Sequence, residues 1–72
     1  VSDGEAFRTA RALARREAIL GGGSSGAALW AVRRLARGLE APARIVTIFP
    51  DSGSRYMSTI FNDEWMKERG FL

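Results

Sequence analysis

The chain reads as an α/β segment, ordered helix, glycine hinge, helix, strand, loop and terminal helix, taken from a mostly parallel open sheet. Three observations predict this class. Apolar residues recur at helical spacing on both sides of Gly21-Gly22-Gly23. The run Arg44-Ile45-Val46-Thr47-Ile48-Phe49 is β-branched and apolar almost throughout, as in a strand covered on both faces. Pro50-Asp51-Ser52-Gly53 closes it with turn chemistry.

The first helix is predicted to start at Ser2. Ser2-Asp3-Gly4-Glu5 has capping-box spacing, in which the serine hydroxyl takes one free helical N–H and the glutamate reaches back to the serine N–H. Phe7, Ala10, Leu13, Ala14 and Ala18 make one apolar stripe, and Arg8, Arg11, Arg15 and Arg16 fall mainly on other faces. Ile19-Leu20 is too short for periodicity to separate a brief strand from a helix tail. A second helix follows from Ser25, with Ala27, Ala28, Leu29, Ala31, Val32, Leu35, Ala36 and Leu39 as a broad apolar surface. Arg33, Arg34 and Arg37 sit near its C-terminal end, where positive charge suits the helix dipole. Gly38 and Pro42 stop it. After the strand and its turn, Asn62 caps a short helix through Arg69, with Phe61, Trp65 and Met66 on its inner side and Gly70 as its stop.

At 72 residues the chain is a single segment with room for four or five elements. Its many large apolar groups exceed what so few elements hide, and one strand is not an independent sheet, so residues 1–72 are expected to be an incomplete part of a larger domain. With no cysteine and no histidine, disulfides and the usual zinc ligand sets are excluded, as are a histidine base and a cysteine nucleophile. No apolar run approaches a membrane span, and the start lacks the layout of a secretory signal. The expected location is cytoplasmic. The net charge of +3 rests on ten arginines and one lysine, Lys67. Such an excess fits either phosphate or nucleic-acid binding or, more commonly, solvated helix faces.

The stretch Gly21-Gly22-Gly23-Ser24-Ser25-Gly26 is the candidate ligand corner. Bare backbone admits a flat or charged group, and hydroxyls stand where a helix presents unpaired N–H groups. A flexible turn with an ordinary serine N-cap accounts for the same residues. In open α/β sheets ligands bind beyond the carboxyl ends of strands, which places the corner and Pro50-Asp51-Ser52-Gly53 at one crevice. Asp51 with Ser52 equally suits the capping of a helical turn through Ser54-Arg55-Tyr56. Gly21-x-Gly23-x-x-Gly26 matches the dinucleotide fingerprint in letters only, because no strand of adequate length precedes it and Glu40 lies before the second strand. No nucleotide P-loop is present. Ser24 and Ser25 have no base to activate either as a nucleophile.

Two long motifs then carry a resemblance. Gly22-Gly23-Ser24-Ser25-Gly26-Ala27-Ala28, together with Val46-Thr47-Ile48-Phe49-Pro50-Asp51-Ser52-Gly53-Ser54-Arg55-Tyr56-Met57-Ser58-Thr59, resembles the C-terminal part of the cysteine synthase and cystathionine beta-synthase family. These are pyridoxal-phosphate enzymes of the tryptophan-synthase-like fold. The opening Ser2-Asp3-Gly4-Glu5-Ala6 resembles the same family, so nearly the whole chain is covered. The ending from Phe61 to Phe71 is more similar to cystathionine beta-synthases than to plain cysteine synthases.

The resemblance implies a cofactor ring at the glycine corner, with the Ser24 hydroxyl on the pyridine nitrogen and Gly23, Asp51 and Ser52 beside it. A neutral hydroxyl, unlike a carboxylate, does not hold that nitrogen protonated, which favours replacement at the β-carbon over transamination. It further implies a homodimer and amino-acid substrates, serine and homocysteine giving cystathionine, or acetylserine and sulfide giving cysteine. The family's Schiff-base lysine and its phosphate loop match nothing here, so catalytic residues are expected in the remainder of the catalytic domain and these 72 residues alone are expected to be inactive. Ala18 stands where family sequences usually carry glycine. A reading of another class is a non-catalytic module whose arginines hold an anion or nucleic acid.

Overall fold

A computed structural model describes all residues from Val1 to Leu72. Its elements are α1 (Asp3–Glu17), α2 (Gly23–Arg37), a 3₁₀ turn (Gly53–Tyr56) and α3 (Asp63–Glu68). The capping box at the start of α1 is complete: Glu5 N–H donates to Ser2 Oγ at 3.1 Å and Ser2 N–H donates to Glu5 Oε1 at 3.0 Å. Asn62 Oδ1 accepts from Trp65 N–H at 3.0 Å and starts α3. Gly70, at φ 78°, follows its end.

α1 and α2 pack against each other through small residues. Ala6, Ala10 and Leu13 are buried on α1, and Ser25 and Gly26 are buried on α2. Close approach is possible because Gly26 has no side chain; a Cβ there would collide with the Ala6 carbonyl oxygen and lie 2.8 Å from Ala10 N. The C-terminal segment then folds back across α1. Phe7, Trp65 and Phe71 form an aromatic cluster with ring centroids 5.3–6.0 Å apart, and Met66 and Ile60 are buried beside it. Two arginines fasten this return. Arg8 donates to the Phe71 carbonyl at 3.1 Å, while Arg11 donates to the Ile60 carbonyl at 2.9 Å and pairs with Asp63. Arg11 is therefore a structural cross-link, its side chain only 14% exposed, and not a member of a solvated face.

The sheet expected from the sequence is absent. Residues 44–49 form no strand, and Val46 and Ile48 are 84% and 76% exposed. A strand needs a neighbour for its backbone N–H and C=O groups, and no second strand exists in these 72 residues to supply one. The α/β class is thus not realised; the chain folds as helices joined by irregular segments. The one β-type contact is an isolated antiparallel bridge between Gly21 and Ser52, extended by Gly53 N–H donating to the Leu20 carbonyl at 2.9 Å. No helix is long and apolar enough to cross a membrane.

Two boundaries differ from expectation. α2 starts at Gly23 with Gly22 as its N-cap, so Ser24 and Ser25 lie inside the first turn and neither caps it. α1 ends on Ala18 in the left-handed region, φ 57° and ψ 29°, its N–H bonded to the Ala14 carbonyl at 3.1 Å. The sequence offers no glycine at the position whose geometry favours one.

Candidate functional site

The glycine corner and the turn after Pro50 meet, because the Gly21–Ser52 bridge ties one backbone to the other. On the solvent side of this junction lies an open hollow of about 580 Å³. Gly23, Ser24 and Ala27 at the start of α2 form one wall, Tyr56, Thr59 and Ile60 a second, Phe7 and Trp65 a third, and the start of α1 with Val1, Ser2, Asp3 and Ala6 a fourth. Successive helical residues point about 100° apart, so when Ser24 faces the hollow Ser25 must turn inward. Ser24 is exposed at the rim, and Ser25 is fully buried with no hydrogen-bond partner for its Oγ.

Behind Ser24 stands a polar relay. Ser24 Oγ donates to Asp51 Oδ1 in a long bond of 3.5 Å, and the Tyr56 hydroxyl donates to Asp51 Oδ2 at 2.7 Å. The hydrogen bond to Asp51 and that residue's negative charge raise the Tyr56 pKa above the ordinary value of 10.0, because both favour the protonated phenol. The Asp51 carboxylate and the Tyr56 ring together fill the space that a side chain at Gly22 would need. Bare backbone at Gly22 thus accommodates the chain's own acid and phenol, where the sequence leaves a ligand contact and a plain turn both open.

Of the four residues singled out from the sequence, Ser24 and Gly23 line the hollow. Asp51 touches Ser24 from behind and is not part of the lining. The Ser52 side chain accepts from Ser54 N–H at 3.2 Å and caps the 3₁₀ turn. Sequence reasoning did not single out Tyr56 and Thr59 as lining residues. The signal was the capped helical turn expected through Ser54-Arg55-Tyr56: it forms as a 3₁₀ turn over Gly53–Tyr56, with Ser52 as its cap, and returns Tyr56 to Asp51, five residues earlier.

The arrangement suits a flat ring with one polar edge, for which Ser24 gives a hydroxyl and Phe7, Ala27, Ile60 and Trp65 give apolar walls. No lysine or arginine lines the hollow. Lys67 is exposed on α3 and stands outside it. A phosphate or a carbonyl on the same ligand therefore meets no lysine or arginine side chain there, and the Asp3 carboxylate is part of the lining.

Comparison with known proteins decides the relationship. The N-(2-amino-2-carboxyethyl)-L-glutamate synthase of Ralstonia nicotianae is 46% identical over 66 residues, which cover 92% of this chain and 20% of that protein. The cystathionine beta-synthase of Apis mellifera is 43% identical over 70 residues, 97% of this chain and 14% of that protein. The cysteine synthase of Aquifex aeolicus is 48% identical over 64 residues, 83% of this chain and 20% of that protein.

The chain belongs to the cysteine synthase and cystathionine beta-synthase family. No family model matches it. The chain spans about a fifth or less of the length of the curated relatives it matches. Cystathionine beta-synthases at 41–44% identity and the Aquifex cysteine synthase at 48% stand too close together for identity to choose between the two members of the family.

Proposed function

We propose that these residues are the C-terminal part of the catalytic domain of a pyridoxal-phosphate-dependent β-replacement enzyme, with cystathionine formation from serine and homocysteine as the reaction. The observation that carries this reading is the placement of Ser24: an exposed hydroxyl at the rim of a ring-sized, apolar hollow, on a helix start found in a chain of this family. Ser24 would meet the ring nitrogen, and Gly23 would bring bare backbone to the ring edge. Asp51 and Ser52 would act from behind, one through Ser24 and the other by holding the turn. When bound, the cofactor supplies the electron sink that allows one group to leave the β-carbon of an amino acid and another to replace it.

The rest of the machinery lies outside these residues. No lysine or arginine lines the hollow, so the phosphate site and the covalent lysine are assigned to the remainder of the catalytic domain, and the 72-residue chain is expected to be inactive alone. The same remainder, in a homodimer, would supply the strands that residues 44–49 lack. Exposed Val46 and Ile48 support that pairing, since a β-branched run with free backbone groups is a template for another strand.

The test is a pair of chimeras, with these residues replacing their matched segments in the Apis mellifera cystathionine beta-synthase and in the Aquifex aeolicus cysteine synthase. Retained cofactor absorbance, with cystathionine formed by the first and activity lost in the second, is the expected result. Activity in the cysteine synthase frame alone would favour sulfide and acetylserine as substrates, the reading that the 48% identity to the Aquifex protein keeps in view. Loss of cofactor from both would overturn the family function.

A further inference from the structure

Trp30, Arg33, Arg34 and Arg37 follow one another along α2 at i, i+3, i+4 and i+7, the spacing that puts four side chains on one face of a helix. These four residues line a small recess of about 80 Å³. The Arg34 guanidinium lies over the Trp30 ring, 5.3 Å from its centroid, and this stacking restrains one of the three charges before any ligand arrives. None of the four residues borders the hollow at Ser24.

The recess concentrates unanswered positive charge. α2 carries no acidic residue, and the one ion pair in the chain joins Arg11 to Asp63, so Arg33, Arg34 and Arg37 have no carboxylate against them. Like charges on one helix face weaken the helix. The negative end of the α2 dipole offsets part of this, but it amounts to about half a charge against three. An anion in the recess answers the rest.

Size and donors define its class. A recess of this volume has room for a few water molecules and none for a nucleobase. Guanidinium groups present paired N–H donors that match the oxygens of a phosphate bidentately, and three of them favour a doubly charged phosphate over a singly charged carboxylate. A second open recess of about 270 Å³ adjoins the first, sharing Trp30 and Arg33. Glu5 places a carboxylate there, and Thr9 and Ala12 complete a side that suits uncharged groups. The adjoining space therefore takes the organic part of a phosphate monoester, not a second anion.

We propose that Trp30, Arg33, Arg34 and Arg37 form a phosphate-binding site on α2, separate from the hollow at Ser24, which takes a phosphate dianion either free or as the monoester of a small molecule. Covering this face with further chain would strip three charges of their hydration, so it stays open to solvent in a longer protein as well.

The test titrates the 72-residue chain with sodium phosphate in place of sodium chloride, at constant ionic strength and about pH 8, where phosphate is a dianion. Inorganic phosphate has no ring, so the site at Ser24 does not enter the result. Saturable NMR shifts of the Trp30 indole and of the side-chain N–H groups of Arg33, Arg34 and Arg37 are expected. Arg33→Gln and Arg37→Gln should each weaken binding about three- to fivefold, whereas Arg44→Gln, which removes an equal charge outside the recess, should leave it unchanged. All three of these side chains are exposed, so circular dichroism is expected to show the same helix content in each variant. Adenosine 5′-monophosphate identifies the source of the phosphate. Tighter binding than inorganic phosphate, with shifts at Thr9 and Ala12, marks a monoester; equal binding confined to α2 marks the free ion. Shifts that do not saturate, that spread evenly over all arginines, or that weaken as much in Arg44→Gln as in Arg33→Gln show charge screening only and overturn the proposal.

Discussion

Gly26 on α2 lies against Ala6 on α1 so closely that the Ala6 carbonyl oxygen occupies the position a Cβ of residue 26 would take. The obstruction is backbone, so no rotamer change relieves it. Gly26→Ala is expected to force the helices apart at a cost near the upper end of the about 1–3 kcal/mol of core overpacking. For so small a core this is a large share of its stability. Urea unfolding followed by circular dichroism should show a lower midpoint, or no folded baseline at all. An unchanged midpoint would mean that the two helices do not pack as described.

Ala18 carries the chain out of α1 in a left-handed conformation, which costs an L-residue with a Cβ about 1–2 kcal/mol. Ala18→Gly removes that cost and adds some freedom to the unfolded chain. The expected net effect is a gain of about 1 kcal/mol, read as a higher urea midpoint. A loss of stability on this change would place the end of α1 elsewhere.

Acid should loosen both ends of the fold. The Ser2 backbone N–H and hydroxyl lower the Glu5 pKa below its ordinary 4.5, and the hydrogen bond and charge of Arg11 lower that of Asp63 below 3.8. A depressed carboxyl contributes stability that is present above its unfolded pKa and lost as pH falls through the folded one. The urea midpoint is therefore expected to be flat from pH 7 to about 5 and to fall below about pH 4. Asp63→Asn should flatten the part of this fall that comes from Arg11. A midpoint that rises as pH drops toward 3 would contradict these pairings.

Residues 44–49 should exchange their amide hydrogens fast in the 72-residue chain, since none belongs to a helix or a ladder. Gly26 and the buried turns of α1 should exchange slowly. In a longer protein with the partner strands present, the amides of Ile45, Val46 and Ile48 are expected to become protected by at least tenfold. Protection of these amides in the short chain would show that it supplies its own partner.

The helices were legible because their signals are local. The Ser2–Glu5 box and the Asn62 cap each depend on residues three apart, and both form as the spacing predicts. The sheet was not, because the β-branched composition of residues 44–49 encodes a preference that only a neighbouring strand can satisfy. The start of α2 was misplaced by two residues for a related reason. A serine looks like a cap in sequence, but the backbone bonded at Gly22 makes Ser24 and Ser25 part of the first turn. At the candidate site, the approach of Asp51 to Ser24 followed from two separate loops at one crevice and the helical turn through Tyr56 from its Asp51-Ser52 cap, whereas the return of the Tyr56 hydroxyl onto Asp51 was not legible because it depends on the tightness of that turn.

The central claim is that the Ser24 hydroxyl serves a ring in the hollow beside it. An amide-resolved NMR titration of the 72-residue chain with millimolar pyridoxine 5′-phosphate, run in parallel on Ser24→Ala, tests it most directly. The account predicts shifts in the wild type that converge on Gly23, Ser24, Ala27, Tyr56 and Thr59, weakened at least several-fold by the substitution. Equal shifts in both proteins, or shifts confined to the exposed arginines of α2, would contradict it.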